Sequence, residues 1–226
     1  MKYLFFSLSI FLINIVNIRA QESNPVKTIK SIKISSGILL EFERSDAYTL
    51  DISSDDLSEE CLIHTIENGV LTLKFTNIIN CDGSVTAKLR CPYIKEIEIM
   101  GNAEVSTYNV LQTDTLKIIL RSGGKAYLDL NVNYLNVLLT EGSLLTASGY
   151  ANTQVVNVTT QATFSAFELE GEEVTVQASL GGKGKVCATK KLSALSKIGG
   201  YITYTCNPVE TEIEKKGNGV VEKLSE

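Results

Sequence analysis

A chain of 226 residues with a single histidine leaves little room for the commonest catalytic constellations. Metal triads and Ser-His-Asp or Cys-His arrangements all require a histidine with placed partners. His64 stands instead in the alternating apolar segment CLIHTI, where a structural or solvent-facing strand residue is expected. Neither HExxH nor CxxC spacing occurs, so no metal centre is expected. The segment GGKGKV (181–186) has the composition of a phosphate loop but not its pattern. Ser179 stands where the first glycine belongs, Val186 replaces the hydroxyl residue, and a strand follows in place of a helix. Nothing calls for a cofactor.

Carboxylates are the remaining enzymatic option, because glycosidic chemistry needs two acids converging on one face at set separations. The candidates are Asp129, Glu141 and the run Glu168, Glu170, Glu172 and Glu173. Residues 168, 170 and 172 alternate and would line one side of a strand. No acids recur at one repeat position through three consecutive units, however, and a solvated turn is the plainer reading. The same holds for Asp55, Asp56, Glu59 and Glu60, a polar loop without calcium-binding spacing.

Positive charge is more unevenly distributed. No acid occurs between Val174 and Val209, while Lys183, Lys185, Lys190, Lys191 and Lys197 all fall there, with Tyr201 and Tyr204 following. Stacked strands would gather these into a basic patch suited to an anionic glycan or a lipid headgroup. Scattered solubilising lysines that guard sheet edges are the competing reading. Five cysteines allow disulfides and leave one over. Cys187 and Cys206 lie 19 residues apart, close to one repeat length, which puts them about 4.8 Å apart on neighbouring strands and within reach of a bond. Cys61, Cys81 and Cys91 admit any one of three pairings. All five as small core residues is the alternative.

The elements that position these residues come from a repeat. The units are TLKIILRSGGKAYLDLNVN (115–133), YLNVLLTEGSLLTASGYAN (134–152), TQVVNVTTQATFSAFELEGE (153–172), EVTVQASLGGKGKVCATK (173–190) and KLSALSKIGGYITYTCNP (191–208). YIKEIEIMGNAEVSTYNV (93–110) opens the series and a degenerate VETEIEKKGNGVVEKLSE closes it. Each is an alternating strand, a small or Gly-rich corner and a second strand, which predicts an all-β solenoid. Leu116/Ile118/Leu120, Leu135/Val137/Leu139, Val156/Val158 and Val174/Val176/Ala178 are the expected inward ladders. Upstream, CLIHTIENGVLTLKF (61–75) predicts a hairpin turning at Asn68-Gly69. VTAKLRCP (85–92) predicts a strand ended by Pro92.

The first twenty residues read differently. Lys2, the apolar run Tyr3–Val16 and Asn17-Ile18-Arg19-Ala20 form a cleavable signal peptide in outline, fourteen apolar residues being short for a membrane span. An uncleaved anchor is the alternative. No second apolar run follows, so no transmembrane segment is expected after cleavage. The full chain carries a formal charge of −5, and losing Lys2 and Arg19 makes the mature chain more acidic still, which argues against nucleic acid as a partner.

The opening strand IKISSGILLEF, then ENGVLTLKF, CPYIKEIEIMGNAEV, the recurring glycine corners and the terminal YITYTCNPVETEIEKKGNGVV resemble the putative auto-transporter adhesin family called the head GIN domain. Its Ser-Gly-x-Gly corners survive here in part, as RSGGK, KIGGY and KKGNG. The resemblance covers nearly all of the mature chain. It implies a single-strand β-helix-like solenoid in an exported protein of the periplasm or cell surface, and it brings no catalytic residues to carry over.

Together these readings predict a signal peptide (1–20) and one exported domain (21–226), with N-terminal strands over 21–92 and coils over 93–226. The expected role is a non-catalytic, adhesion-type binding module of the cell envelope, its partner an anionic glycan or another envelope component. A polysaccharide lyase or hydrolase built on a β-helix, and a structural envelope protein, are the alternatives.

Overall fold

The structure, a computed structural model, describes residues 28–54, 61–76, 81 and 84–224. The expected leader and the acidic residues Asp55, Asp56, Glu59 and Glu60 lie outside them. Eight strands precede the long repeats: β1 (Ser31–Ser35), β2 (Leu39–Arg44), β3 (Thr49–Ser54), β4 (Leu62–Glu67), β5 (Val70–Phe75), β6 (Val85–Cys91), β7 (Glu96–Met100) and β8 (Glu104–Thr107). The repeats supply β9 (Leu111–Leu120), β10 (Lys125–Leu139), β11 (Leu144–Val158), β12 (Thr163–Ser179) and β13 (Lys183–Lys197). The shorter β14 (Tyr201–Thr205), β15 (Glu210–Lys216) and β16 (Val220–Lys223) follow. They form a β-solenoid of about seven turns.

Each long strand serves two layers. In β10 the in–out alternation slips at Asn133 and Tyr134, both exposed, so Ala126, Leu128 and Leu130 face inward before the bend and Leu135, Val137 and Leu139 after it. The segment before the bend belongs to a second layer and the segment after it to a first layer. A tight corner then returns the chain to the second layer one rung further on. The rungs stack in parallel register: Lys125, Leu144, Thr163, Lys183, Tyr201 and Val220 form one column. The expected ladders are buried between the layers, with Leu116 beside Leu135 and Ile118 beside Val137. Residue size is matched across rungs. Phe164, wholly buried, has Gly184 as its register partner, and a Cβ on Gly184 would sit 3.1 Å from Val176 Cγ2.

The corners between β9 and β14 share one backbone solution: two consecutive residues with positive φ. They are Ser122-Gly123 (φ 50 and 79), Glu141-Gly142 (56 and 70), Leu180-Gly181 (50 and 77) and Ile198-Gly199 (48 and 70). The third position needs a small residue for a different reason. A Cβ on Gly182 would lie 2.4 Å from the Val158 carbonyl oxygen, and one on Gly200 would lie 2.3 Å from that of Ala178. The glycine pairs of the sequence thus meet two demands at adjacent sites, left-handed backbone and then close approach. At the corner that lacks glycine, Thr160 and Gln161 adopt φ of 52 and 61 themselves.

The coils begin before the repeat is visible in sequence. β1 pairs in parallel with β7 and β2 with β8, 65 positions apart, so β1–β2 already forms a rung. The chain between them folds beneath that rung: β5 pairs in parallel with β1 and β6 with β2. β4 and β3 then lie antiparallel on the outside of β5 and β6. The β4–β5 hairpin turns at Asn68 (φ 52) and Gly69 (φ 80), as expected for Asn-Gly.

Gln161→Gly should relieve left-handed strain of about 1 kcal/mol and raise the thermal midpoint by roughly 2–4 °C. Gly182→Ala should cost about 2 kcal/mol, because its Cβ meets backbone that cannot move aside. Calorimetry of both variants checks the corner geometry; an unchanged midpoint for Gly182→Ala would contradict it.

Candidate functional site

Seven positions were expected to build a basic surface, and the fold distributes them. Lys183 and Lys185 alternate with buried Gly184 and Val186 on β13, so they project from the outer face of the second layer, with Tyr201 beside Lys183 on the next rung. The bend then intervenes. Lys191 and Lys197 belong to the first layer, and Lys190 sits at the bend. Lys190 is paired with Glu172 at 2.7 Å and Lys191 with Glu212 at 3.2 Å. The hydrogen bonds to these carboxylates raise both ammonium pKa values. Tyr204 is partly buried against the core. The lysines therefore do not converge, because the bend sends the two halves of the strand to opposite faces.

The acids fare differently. Glu141 is at a corner, where it accepts a hydrogen bond from Ser122 Oγ at 2.6 Å. Glu172 is engaged with Lys190, and Glu173 stacks next to Lys191 in the first layer. Asp129 and Glu168, by contrast, share one column through Ser148 on the outer face of the second layer. They line a trough of about 410 Å³ with Tyr127, Phe167 and the small residues Thr146, Ser148 and Ser165.

Strand chemistry explains this trough. The rung Leu144–Gly149 presents Leu144, Thr146 and Ser148 outward, and the last two make a low floor between the taller side chains of Tyr127 on one rung and Phe167 on the rung beyond it. β12 carries one extra residue in this stretch, and its register against β11 slips between Thr146 and Ser148. Phe167 and Glu168, consecutive in sequence, consequently both turn outward, between buried Ala166 and Leu169. A bulge re-aims side chains in this way. Phe167 is half-buried and has Lys185 Nζ 5.8 Å from its ring centre; Tyr127 is 40% exposed. The bulge gave no signal in sequence beyond the longer unit 153–172.

Most polar side chains of the trough make no hydrogen bond within the protein; Thr107, whose Oγ1 accepts from the Asp129 amide at 2.9 Å, is the exception. Among the described residues, the side chains of Asp129, Thr146, Ser148, Ser165 and Glu168 have no hydrogen-bond partner in the protein. Several outward charges elsewhere are paired. Lys117 bonds Glu96 at 2.9 Å and Lys33 bonds Glu98 at 3.0 Å across the first layer. Lys88 and Arg90 clamp Glu43, each at 3.0 Å, and the hydrogen bond from Lys88, reinforced by Arg90, holds that carboxyl below its usual range. A second depression, of about 440 Å³, lies along the bend, but there Asn133 donates to Asp114 at 3.2 Å and Tyr150 to Asn152 at 3.1 Å.

The cysteines form two bonds. Cys187 joins Cys206, Cα atoms 5.3 Å apart, and Cys61 joins Cys81, at 5.5 Å. Cys187 is in register with Thr205, one residue before Cys206, and the left-handed backbone of Cys206 (φ 63) absorbs that offset. Cys91 is free and buried. His64 is exposed on β4.

Residues 29–208 match the family described as putative auto-transporter adhesin, head GIN domain. No curated protein matches the chain. Among solved structures, a putative adhesin from Bacteroides fragilis NCTC 9343 superposes with a TM-score of 0.79 at 20% identity, covering 89% of this chain and 95% of that one. A putative adhesin from Parabacteroides merdae ATCC 43184 gives 0.68 at 19% identity, covering 90% and 95%. A structure described as a putative lipid binding protein, from Parabacteroides distasonis ATCC 8503, gives 0.67 at 18% identity, covering 90% and 96%. At these identities the likeness is one of fold.

Burial pushes the Cys91 thiol up to about 12, so hardly any thiolate exists at pH 8. A thiol reagent should leave the native protein unmodified and find one thiol per chain after unfolding without reductant. Three thiols, or fast labelling of the native protein, would contradict the pairing. Serine at both 187 and 206 should cost about 3 kcal/mol by the loop-entropy relation.

Proposed function

The chain belongs to the putative auto-transporter adhesin, head GIN domain family, and on that premise we propose that it is an exported, adhesion-type binding module whose ligand face is the outer surface of the second layer. The observation that supports this reading is the trough between Tyr127 and Phe167, where two rings and five polar side chains without hydrogen-bond partners among the described residues gather in one depression. Binding there needs no lid or deep cavity. The solenoid spends its inward side chains on the core, and recognition falls to what a rigid strand array presents outward.

The anionic-glycan partner loses its basis once the lysines divide between two faces and two of them pair with glutamates. Lipid binding, the description borne by one structural neighbour, also fits this chain less well. The space between its layers is filled by the buried Leu, Val, Ile and Phe ladders, so an acyl chain would have to lie outside. Export rests on the N-terminal leader: the mature protein should begin at Gln21, and mass spectrometry of the native N-terminus reads this directly.

Particles coated with the exported protein should adhere to envelopes of the producing cells. Thr146→Arg, which plugs the trough floor, should cut adhesion at least several-fold. Asn157→Arg, on the exposed face of the first layer, should leave it unchanged. Equal adhesion by the two variants would remove the second layer as the ligand face.

A further inference from the structure

We infer that the trough binds a neutral glycan, with a hexopyranose segment lying across the rungs between Tyr127 and Phe167; this rests on the second layer being the ligand face. A pyranose ring has faces of C–H groups, weakly positive and apolar, and a rim of hydroxyls that both donate and accept. A site for it therefore needs exposed aromatic faces for the C–H groups and uncommitted acceptors and donors around them. The trough supplies both. Tyr127 and Phe167 stand two rungs apart, about 9.6 Å along the axis at the usual strand spacing, with room for sugar rings over the low rung between them. Thr146, Ser148 and Ser165 offer hydroxyls at the floor, and Asp129 and Glu168 offer carboxylates, which accept from sugar hydroxyls in charge-assisted bonds.

The charges select the ligand. Two carboxylates and no lysine line the trough, and Lys185, in register with Ser165, has its Nζ 5.8 Å from the Phe167 ring centre. The two carboxylates repel an anionic chain, while a neutral one meets hydroxyls and carboxylates that its own hydroxyls can bond. The β12 bulge is the second observation. A regular strand would turn one of Phe167 and Glu168 inward; the inserted residue presents both, one aromatic and one acceptor, to the same trough. The core is undisturbed by the insertion, since Ala166 and Leu169 on either side keep their buried places.

Affinity electrophoresis of the exported protein through gels containing a glucan, a mannan or a galactan, with heparin as the anionic comparison, tests the inference. At least one neutral polymer should retard the protein. Tyr127→Ala and Phe167→Ala should each weaken that retardation at least tenfold, and Asn157→Arg should not. Thr146→Tyr, which fills the trough without removing a ring, should abolish it, so the result does not depend on how well Phe167→Ala folds. Retardation by heparin alone, by none of the polymers, or equally in wild type and both ring variants would overturn the inference. If no neutral polymer binds while Thr146→Arg still abolishes adhesion to envelopes, the glycan falls and the ligand face stands. If adhesion is also indifferent to Thr146→Arg, both fall.

Discussion

Every feature of this molecule depends on the return of the chain, coil after coil, to parallel register one strand spacing further along. Backbone hydrogen bonds between rungs fix the register, and the corner with two left-handed residues makes the return possible at all. At the corners, the amide of Gly123 bonds the carbonyl of Glu141 at 2.9 Å and that of Gly142 bonds Thr160 at 3.0 Å, so the corners form a ladder of their own. Because register is shared, a change in one coil must be absorbed locally. The step from Thr163 to Lys183 is one residue longer than the preceding step, from Leu144 to Thr163, and the step from Lys183 to Tyr201 is shorter. The surplus becomes the β12 bulge, and the bulge makes the trough.

The core shows the same economy. Gln154 interrupts a column of Leu116, Leu135, Val174 and Leu192, fully buried, its Nε2 donating to the Leu169 carbonyl at 3.3 Å. Its Oε1 has no partner among the described residues, a cost the ladder bears. Gly171 makes room for it, since a Cβ there would lie 2.5 Å from Gln154 Nε2. At the far end of the stack, β15 is exposed along its whole length, with Glu210, Glu212 and Glu214 on its outward side and Thr211, Ile213 and Lys215 on its inward side, Lys215 beside Ser196. Charges on such an edge discourage another strand from adding to it.

Much of this was legible in the sequence. Period-2 alternation within a repeat of about nineteen residues specifies stacked strands, and the glycine pairs mark the corners. The Asn68-Gly69 hairpin was equally plain. What escaped had physical reasons. The rung made by β1 and β2 carries no repeat signal, because its neighbour β7–β8 lies 65 positions away and the intervening chain folds underneath. The lysines seemed to cluster because sequence proximity ignores the bend at which Lys190 sits. Asp129 and Glu168 were recognised as candidate acids, but their shared column appears only once the rungs are aligned. Phe167 was overlooked altogether, since a regular alternation does not say which of two neighbours a bulge will turn outward.

The central claim is that ligand recognition belongs to the trough on the second layer and to no other surface. Titration of isotopically labelled protein with polysaccharide extracted from the producing cells' envelopes, followed by amide shift mapping, addresses it most directly. The account predicts that the perturbed amides cluster at residues 127–129, 146–148 and 165–168, three adjacent rungs of one face. Perturbations centred on the first layer, the bend depression around Asp114 and Asn133, or the lysines at 191 and 197 would contradict it.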